Sequence, residues 1–211
     1  METNKALESI IESAKKNVDN GDYDKAIEEL TQAIEADPAN AEYYEYRATV
    51  YYMMGQWDET IKDYTQAIKL NPGKADYYDI RADAYHALSL WDEALADCNK
   101  AIELDPDKAD YYHSRAHTYY MMDYHDEALE NCNKAIELDP TQSSYYNTRA
   151  DVYHMMEQNH KAIKDYTRAI EIEPDISDYY SNRADTFQAM EQWQLSVLML
   201  VSYYKVCMWL L

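Results

Sequence analysis

Basic charge is what this chain is shortest of. Its 211 residues carry 19 Lys and Arg against 40 Asp and Glu, a formal net charge of −21. Duplex phosphates are bound through a basic stripe, so no nucleic-acid partner is expected. The acidic bulk instead favours solubility and basic partners. Glycine occurs three times and proline five. With so few helix breakers, and Ala, Asp, Glu, Lys and Tyr abundant, the chain reads as all-α. Three cysteines are too few, and odd in number, for a disulfide framework. Cys98 and Cys132 read as reduced core residues, which suits a cytoplasmic location. The opening METNKALESIIESAKKNVDNG has no unbroken apolar run, so no secretory signal is expected. There is no glycine-rich phosphate loop, no nucleophile elbow and no Cys–His pairing outside the helical pattern. Carboxylates recur with the surface pattern, so neither an enzyme nor a cofactor is expected.

What the chain does have is a period of 34. Pro38, Pro72, Pro106, Pro140 and Pro174 keep that spacing, as do the doublets that begin at Tyr43, Tyr77, Tyr111, Tyr145 and Tyr179. A fixed period of this length marks a repeat array in which each unit buries its apolar face against its neighbours. Within residues 41–74, Tyr44, Ala48 and Tyr51, then Trp57, Ile61, Tyr64, Ala67 and Ile68, show helical spacing. Gly55-Gln56 separates the two runs, and Asn71-Pro72 ends the second. Each unit is predicted to be a hairpin, with helix A near 42–54 and helix B near 58–71.

These residues resemble the tetratricopeptide repeat family. Tyr44, Ala48, Tyr51, Tyr64, Ala67 and Pro72 occupy its signature slots in one copy, and Tyr112, Ala116, Tyr119, Ala128, Ala135 and Pro140 in another. The resemblance covers roughly residues 7–193. It implies an all-α, right-handed superhelical solenoid of antiparallel helix hairpins. The expected organisation is a capping repeat at 1–40 and tandem repeats over 41–193, starting near 41, 75, 109, 143 and 177. A divergent apolar tail follows at 194–211. Where the family has Leu, this chain has Arg47, Arg81, Arg115, Arg149 and Arg183. Glu29, Asp63, Asp97 and Asp165 stand ready as partners on helix B, with Asn131 the exception. The row is read as partly exposed inter-helix pairs worth roughly 0–1 kcal/mol each, against the alternative of an anion-binding row.

In the family, helix A residues line a concave surface that contacts extended peptides. Carried over by position, that surface comprises Glu42, Glu45, Thr49 and Tyr52, then Asp76, Asp79, Asp83 and His86. It continues through Asp110, His113, His117 and Tyr120, then Asn147, Asp151 and His154, and ends at Asn182 and Asp185. Met53, Met121 and Met155 lie beside them. The family's co-chaperones grip a terminal carboxylate with Lys, Asn and Arg. Here only Lys15 and Asn182 match, so the chain is co-chaperone-like in architecture and is not expected to hold that tail. His113 and His117 have a spacing able to hold a metal, but lack an intervening Glu and a Cys ligand. They are read as polar lining, with no metal.

The expected function is a scaffold that binds an extended, basic segment of a protein partner in an acidic groove. The alternative is a structural, self-associating solenoid or a membrane-tethered adaptor that assembles through its apolar tail. Homo-oligomers, and any membrane association, would then run through 195–211, which is apolar nearly all round with Lys205 its one charge.

Overall fold

The computed structural model of the chain describes residues 2–191 and divides into two compact units, residues 1–122 and 123–211. The first unit runs α1 (Glu2–Asp19), α2 (Tyr23–Ala36), α3 (Ala41–Met53), α4 (Trp57–Leu70), α5 (Ala75–Ala87), α6 (Trp91–Leu104) and α7 (Ala109–Met121). In the second, α8 (His125–Leu138), α9 (Ser143–Met155) and α10 (Asn159–Ile172) precede a helical stretch at 177–191. Odd-numbered helices are the A helices of the period and even-numbered ones the B helices. α1 packs on α2, α3 on α4, α5 on α6, and α9 on α10, while α2–α3, α4–α5, α6–α7 and α8–α9 link successive periods. The all-α class and sequential hairpins expected from the period are what the chain has. The apolar tail at 194–211 lies outside the described residues.

The period repeats chemistry as well as shape. α4 stops at Leu70 and α6 at Leu104, leaving one extended residue before Pro72 and Pro106, as the clash with a following proline requires. The second tyrosine of each doublet then ties down that proline. Tyr78, Tyr112 and Tyr146 donate their hydroxyls to the carbonyls of Pro72, Pro106 and Pro140 at 3.2, 3.1 and 3.1 Å. At the other end of the hairpin, each of α1, α3, α5, α7 and α9 is followed by a left-handed residue. Gly21, Gly55, Ser89, Asp123 and Glu157 have φ of 78, 69, 59, 62 and 57°. Around Gly55, its own N–H bonds Tyr52 C=O and the next N–H, of Gln56, bonds Tyr51 C=O, at 3.0 and 2.9 Å. This is the paired closure of a helix C-terminus that favours glycine. Only the first two copies supply glycine there.

Small residues set the distance between helices A and B. Ala48, Ala82, Ala116 and Ala150 are fully buried, as are Ala67, Ala101, Ala135 and Ala169 on the B helices. Tyr64 and Tyr166 fill the space beside them with no more than 1% exposure. Replacing either by Ala would cost about 3–5 kcal/mol, the range for large aromatic side chains in a core.

The arginines are more enclosed than their sequence positions suggest. Arg81 Nε and Nη2 donate to Asp97 Oδ2 and Oδ1, both at 2.7 Å. Arg47–Asp63 and Arg149–Asp165 repeat the arrangement. The three carboxylates are only 2–8% exposed, so the small energy expected of a partly exposed pair does not apply. The remaining nitrogen, Nη1, reaches sixteen residues back: to Thr31 from Arg47, Thr65 from Arg81 and Asn133 from Arg149. Arg115 bonds Asn99 and Arg183 bonds Thr167 in the same way. Each arginine therefore closes its region against the preceding period as well. Glu29 departs from the expected pairing. The first copy has Ser13 where the others have Arg, and Glu29 accepts from Ser13 and Asn17 instead. Asn131 turns its amide to the Glu127 carbonyl of its own helix.

Candidate peptide-binding face

In the first unit the candidate residues lie on α3, α5 and α7. Two of the acids already have resident partners. Glu45 accepts Lys74 Nζ at 2.6 Å and the Tyr77 hydroxyl at 2.8 Å. Asp76 accepts Lys108 Nζ and the Tyr111 hydroxyl, both at 2.6 Å. Lys108 and then Tyr111 hold the Asp76 carboxyl below its ordinary range. Lys74 and Lys108 immediately precede α5 and α7, and each folds back onto the preceding A helix. Glu45 and Asp76, both expected on the face, are therefore already paired within the chain.

Asp79 and Asp83 are different. They sit one turn apart on α5, half-buried, and neither forms an ion pair with a lysine or arginine of the described residues. Asp79 Oδ1 is enclosed with no hydrogen-bond partner, although Ser114 bonds the carboxyl group. Asp83 meets Tyr52 Oη at 3.5 Å. Burial pushes Asp79 up to about 6, against the Ser114 bond. Burial, with repulsion from Asp79, pushes Asp83 up to about 7.

Next along α5, His86 Nε2 lies 2.5 Å from Thr118 Oγ1. Its ring is 5.2 Å from His117, edge to face, and His117 is 6.5 Å from Tyr120. Burial, then His117, lowers both His86 and His113 to about 4, and burial lowers His117. Burial thus favours the neutral form of all three histidines. Among the described residues no group of three or more His, Cys, Asp or Glu is disposed to hold a metal ion. Thr49 bonds Tyr64 Oη at 3.1 Å, while Glu42 and Asp110 are exposed at the starts of α3 and α7.

In the second unit, Asn147, Asp151 and Asn182 come together. Asn147 Nδ2 donates to Asp151 Oδ2 at 3.0 Å, and Asn182 Nδ2 approaches Asn147 Oδ1 at 3.3 Å and Asp151 Oδ1 at 3.5 Å. Tyr166, from the B helix, donates to Asp151 at 2.6 Å. Burial raises Asp151, and the Tyr166 bond offsets part of that rise. His154 Nδ1 lies 3.2 Å from Thr186 Oγ1, and Asp185 is exposed.

Sequence reasoning missed Lys74, Lys108, Tyr77 and Tyr111 as built-in partners of the face. Their signal was present: both pairs stand one period apart. The tether alternative falls on 195–211, outside the described residues. Among the described residues, no helix is long and apolar enough to cross a membrane.

Comparison with known proteins agrees with the repeat fold. Models described as TPR repeat and tetratricopeptide repeat match residues 15–55 and 82–123, 41–74, 109–142 and 131–164. No curated protein gives a significant match. Among solved structures, MamA is similar at 26% identity and a TM-score of 0.70, covering 76% of this chain and 94% of its own. A tetratricopeptide repeat protein from Parabacteroides merdae aligns with a TM-score of 0.77 and 23% identity, covering 89% of this chain and 74% of its own. YrrB, described as a TPR protein with an unusual peptide-binding site, aligns at 0.69 with 20% identity, over 86% of this chain and 97% of its own. The last two likenesses bear on the fold alone. Period, hairpins and family models agree: the chain belongs to the tetratricopeptide repeat family and is a scaffold for protein–protein interaction.

Proposed function

We propose that the A-helix face of the first unit, on α3, α5 and α7, holds an extended basic segment of a partner protein. One observation carries this reading. Lys74 and Lys108 neutralise Glu45 and Asp76, yet no lysine or arginine of the described residues pairs with Asp79 or Asp83. A cation from outside would complete what the chain leaves uncompensated. Tyr52 beside Asp83 offers a ring to a lysine or arginine. Met53 and Met121, 54% and 43% exposed, offer apolar contact to its stem.

The test must separate this face from general attraction to a chain of charge −21. Labelled octalysine is titrated into the wild type, Asp79→Asn/Asp83→Asn, and Glu59→Gln/Glu93→Gln. The last pair removes the same number of carboxyl groups from exposed positions on the B helices. The expected result is a loss of about tenfold or more in affinity for the aspartate variant and little change for the glutamate variant. Affinity should also fall with salt, since the Debye length is only about 8 Å at physiological ionic strength. Equal losses in the two variants would overturn the reading.

A further inference from the structure

The Asp79–Asp83 turn is built in a way that simple attraction for a cation does not require. Thr118 Oγ1 donates to the Ser114 carbonyl at 2.8 Å, so it has lone pairs, not a proton, to offer His86. His86 Nε2 therefore carries the hydrogen, and Nδ1 carries the lone pair. Nδ1 lies 3.9 Å from Asp83 Oδ1, too far for a hydrogen bond but near enough for the two groups to interact electrostatically. A carboxylate there meets like with like, whereas a protonated carboxyl does not. One turn earlier, the enclosed Asp79 Oδ1 has no donor. A buried carboxylate oxygen without a donor carries an uncompensated desolvation cost, which protonation reduces.

The surroundings offset only part of the cost of burial at Asp79. From α3 comes the Tyr52 hydroxyl. From α6 comes Cys98, whose thiol burial keeps protonated, with its Sγ 3.8 Å from Thr118 Oγ1. From α7 and the residue before it come the Ser114 hydroxyl and Lys108, which both lower Asp79 although Lys108 is bonded to Asp76, and Asp110, which raises it. His113 and His117 are kept neutral by burial. On α5 itself, Asp76 is spoken for by Lys108 and Tyr111, and His86 is neutral.

Resting on the groove reading above, we infer that this turn is a proton-linked switch: Asp79 and Asp83 hold protons while the face is empty and release them when a lysine or arginine of the partner docks. The balance is simple. Each carboxyl O–H bond breaks, the proton passes to solvent, and the carboxylate left behind pairs with the incoming cation. Burial, which places the two groups at about 6 and about 7, makes the exchange fall within the neutral range. Each proton displaced makes affinity depend on pH by about tenfold per unit below the carboxyl's own pKa. Affinity for a basic segment should therefore rise steeply between about pH 5 and 7 and level off above that.

Two measurements on the full chain test this. The first follows the side-chain carboxyl 13C signals of Asp79 and Asp83 through a pH titration, with and without octalysine. The second measures octalysine binding calorimetrically at pH 6 in two buffers of different ionisation enthalpy, which counts protons released. The expected result is midpoints near neutrality in the free chain, lowered by octalysine. One to two protons should be released per peptide, and none by Asp79→Asn/Asp83→Asn. If octalysine binds at this face but the midpoints lie near 4, or no proton is released, the switch is overturned and the groove reading stands. If octalysine binds no better to the wild type than to the double variant at any pH, the groove reading falls and the switch with it.

Discussion

Arg81 grips Asp97 through two bonds of 2.7 Å while its third nitrogen donates to Thr65 at 2.9 Å. Burial raises the Asp97 carboxyl while Arg81 pulls it down, and the carboxylate is only 8% exposed. Removing the arginine alone leaves the cost of that burial unrelieved. Arg81→Leu should therefore destabilise the chain by about 3–5 kcal/mol, the range for breaking one side of a buried pair. Arg81→Met with Asp97→Leu should recover most of the loss, since apolar replacement of a whole buried pair is often neutral. Urea melts of the three proteins check this. A loss of under about 1 kcal/mol in Arg81→Leu would show that the pair is solvated and that the first reading of its sequence position was right.

The left-handed turn residues give a second prediction. Glu157 adopts φ 57° where Gly55 adopts 69° in the equivalent turn. A side chain in this region costs roughly 1–2 kcal/mol, part of which glycine gives back through its freer unfolded state. Glu157→Gly should stabilise by about 0.5–1 kcal/mol, and Gly55→Ala should destabilise by a similar amount. The Cβ added at Gly55 would come no nearer than 3.7 Å to the Trp57 ring, so backbone strain, not crowding, is what a thermal melt would read. An unchanged midpoint for both variants would contradict this.

Much of the fold was legible in the sequence because period and composition act locally. Pro72 stops a helix wherever it stands, and Ala48 can sit at a close helix crossing without knowledge of its partner. The arginine pairs were legible too, as Arg81 and Asp97 recur with the period. Their burial was not, because it depends on the preceding helix B closing over them through Thr65. The face was legible only as a set of positions. Which acids it leaves uncompensated turns on Lys74 and Lys108 folding backwards onto Glu45 and Asp76, a contact between periods. The asymmetry between Asp76 and Asp79 was equally hidden, since both are aspartates on one helix only three residues apart.

Stability should vary with pH in a direction set by these groups. Asp79 and Asp83 have folded pKa values of about 6 and about 7, above their ordinary value of 3.8. The folded chain therefore binds protons that the unfolded chain has lost, and their contribution fades as pH rises through 6 and 7. His86 and His113, lowered from 6.5 to about 4, act oppositely, so their contribution is present above 6.5 and fades as pH falls towards 4. The two effects offset one another below about 6.5. The melting temperature should thus be higher at pH 6.5 than at pH 8 and nearly level from 6.5 down to 5. Asp79→Asn/Asp83→Asn should remove most of the difference between 6.5 and 8. A variant that keeps the full difference would assign it to the chain's overall negative charge.

The claim that a basic segment lies along the A helices of the first unit is tested most directly by mapping where it lands. Backbone amide shifts of the isotope-labelled chain are recorded at pH 7.5 as octalysine is added. The changes should concentrate on α3, α5 and α7, centred on Tyr52, Asp79, Asp83 and Ser114, and should saturate together. Changes spread over the exposed acids of the B helices, such as Glu28, Glu59 and Glu93, or confined to residues 195–211, would contradict the account.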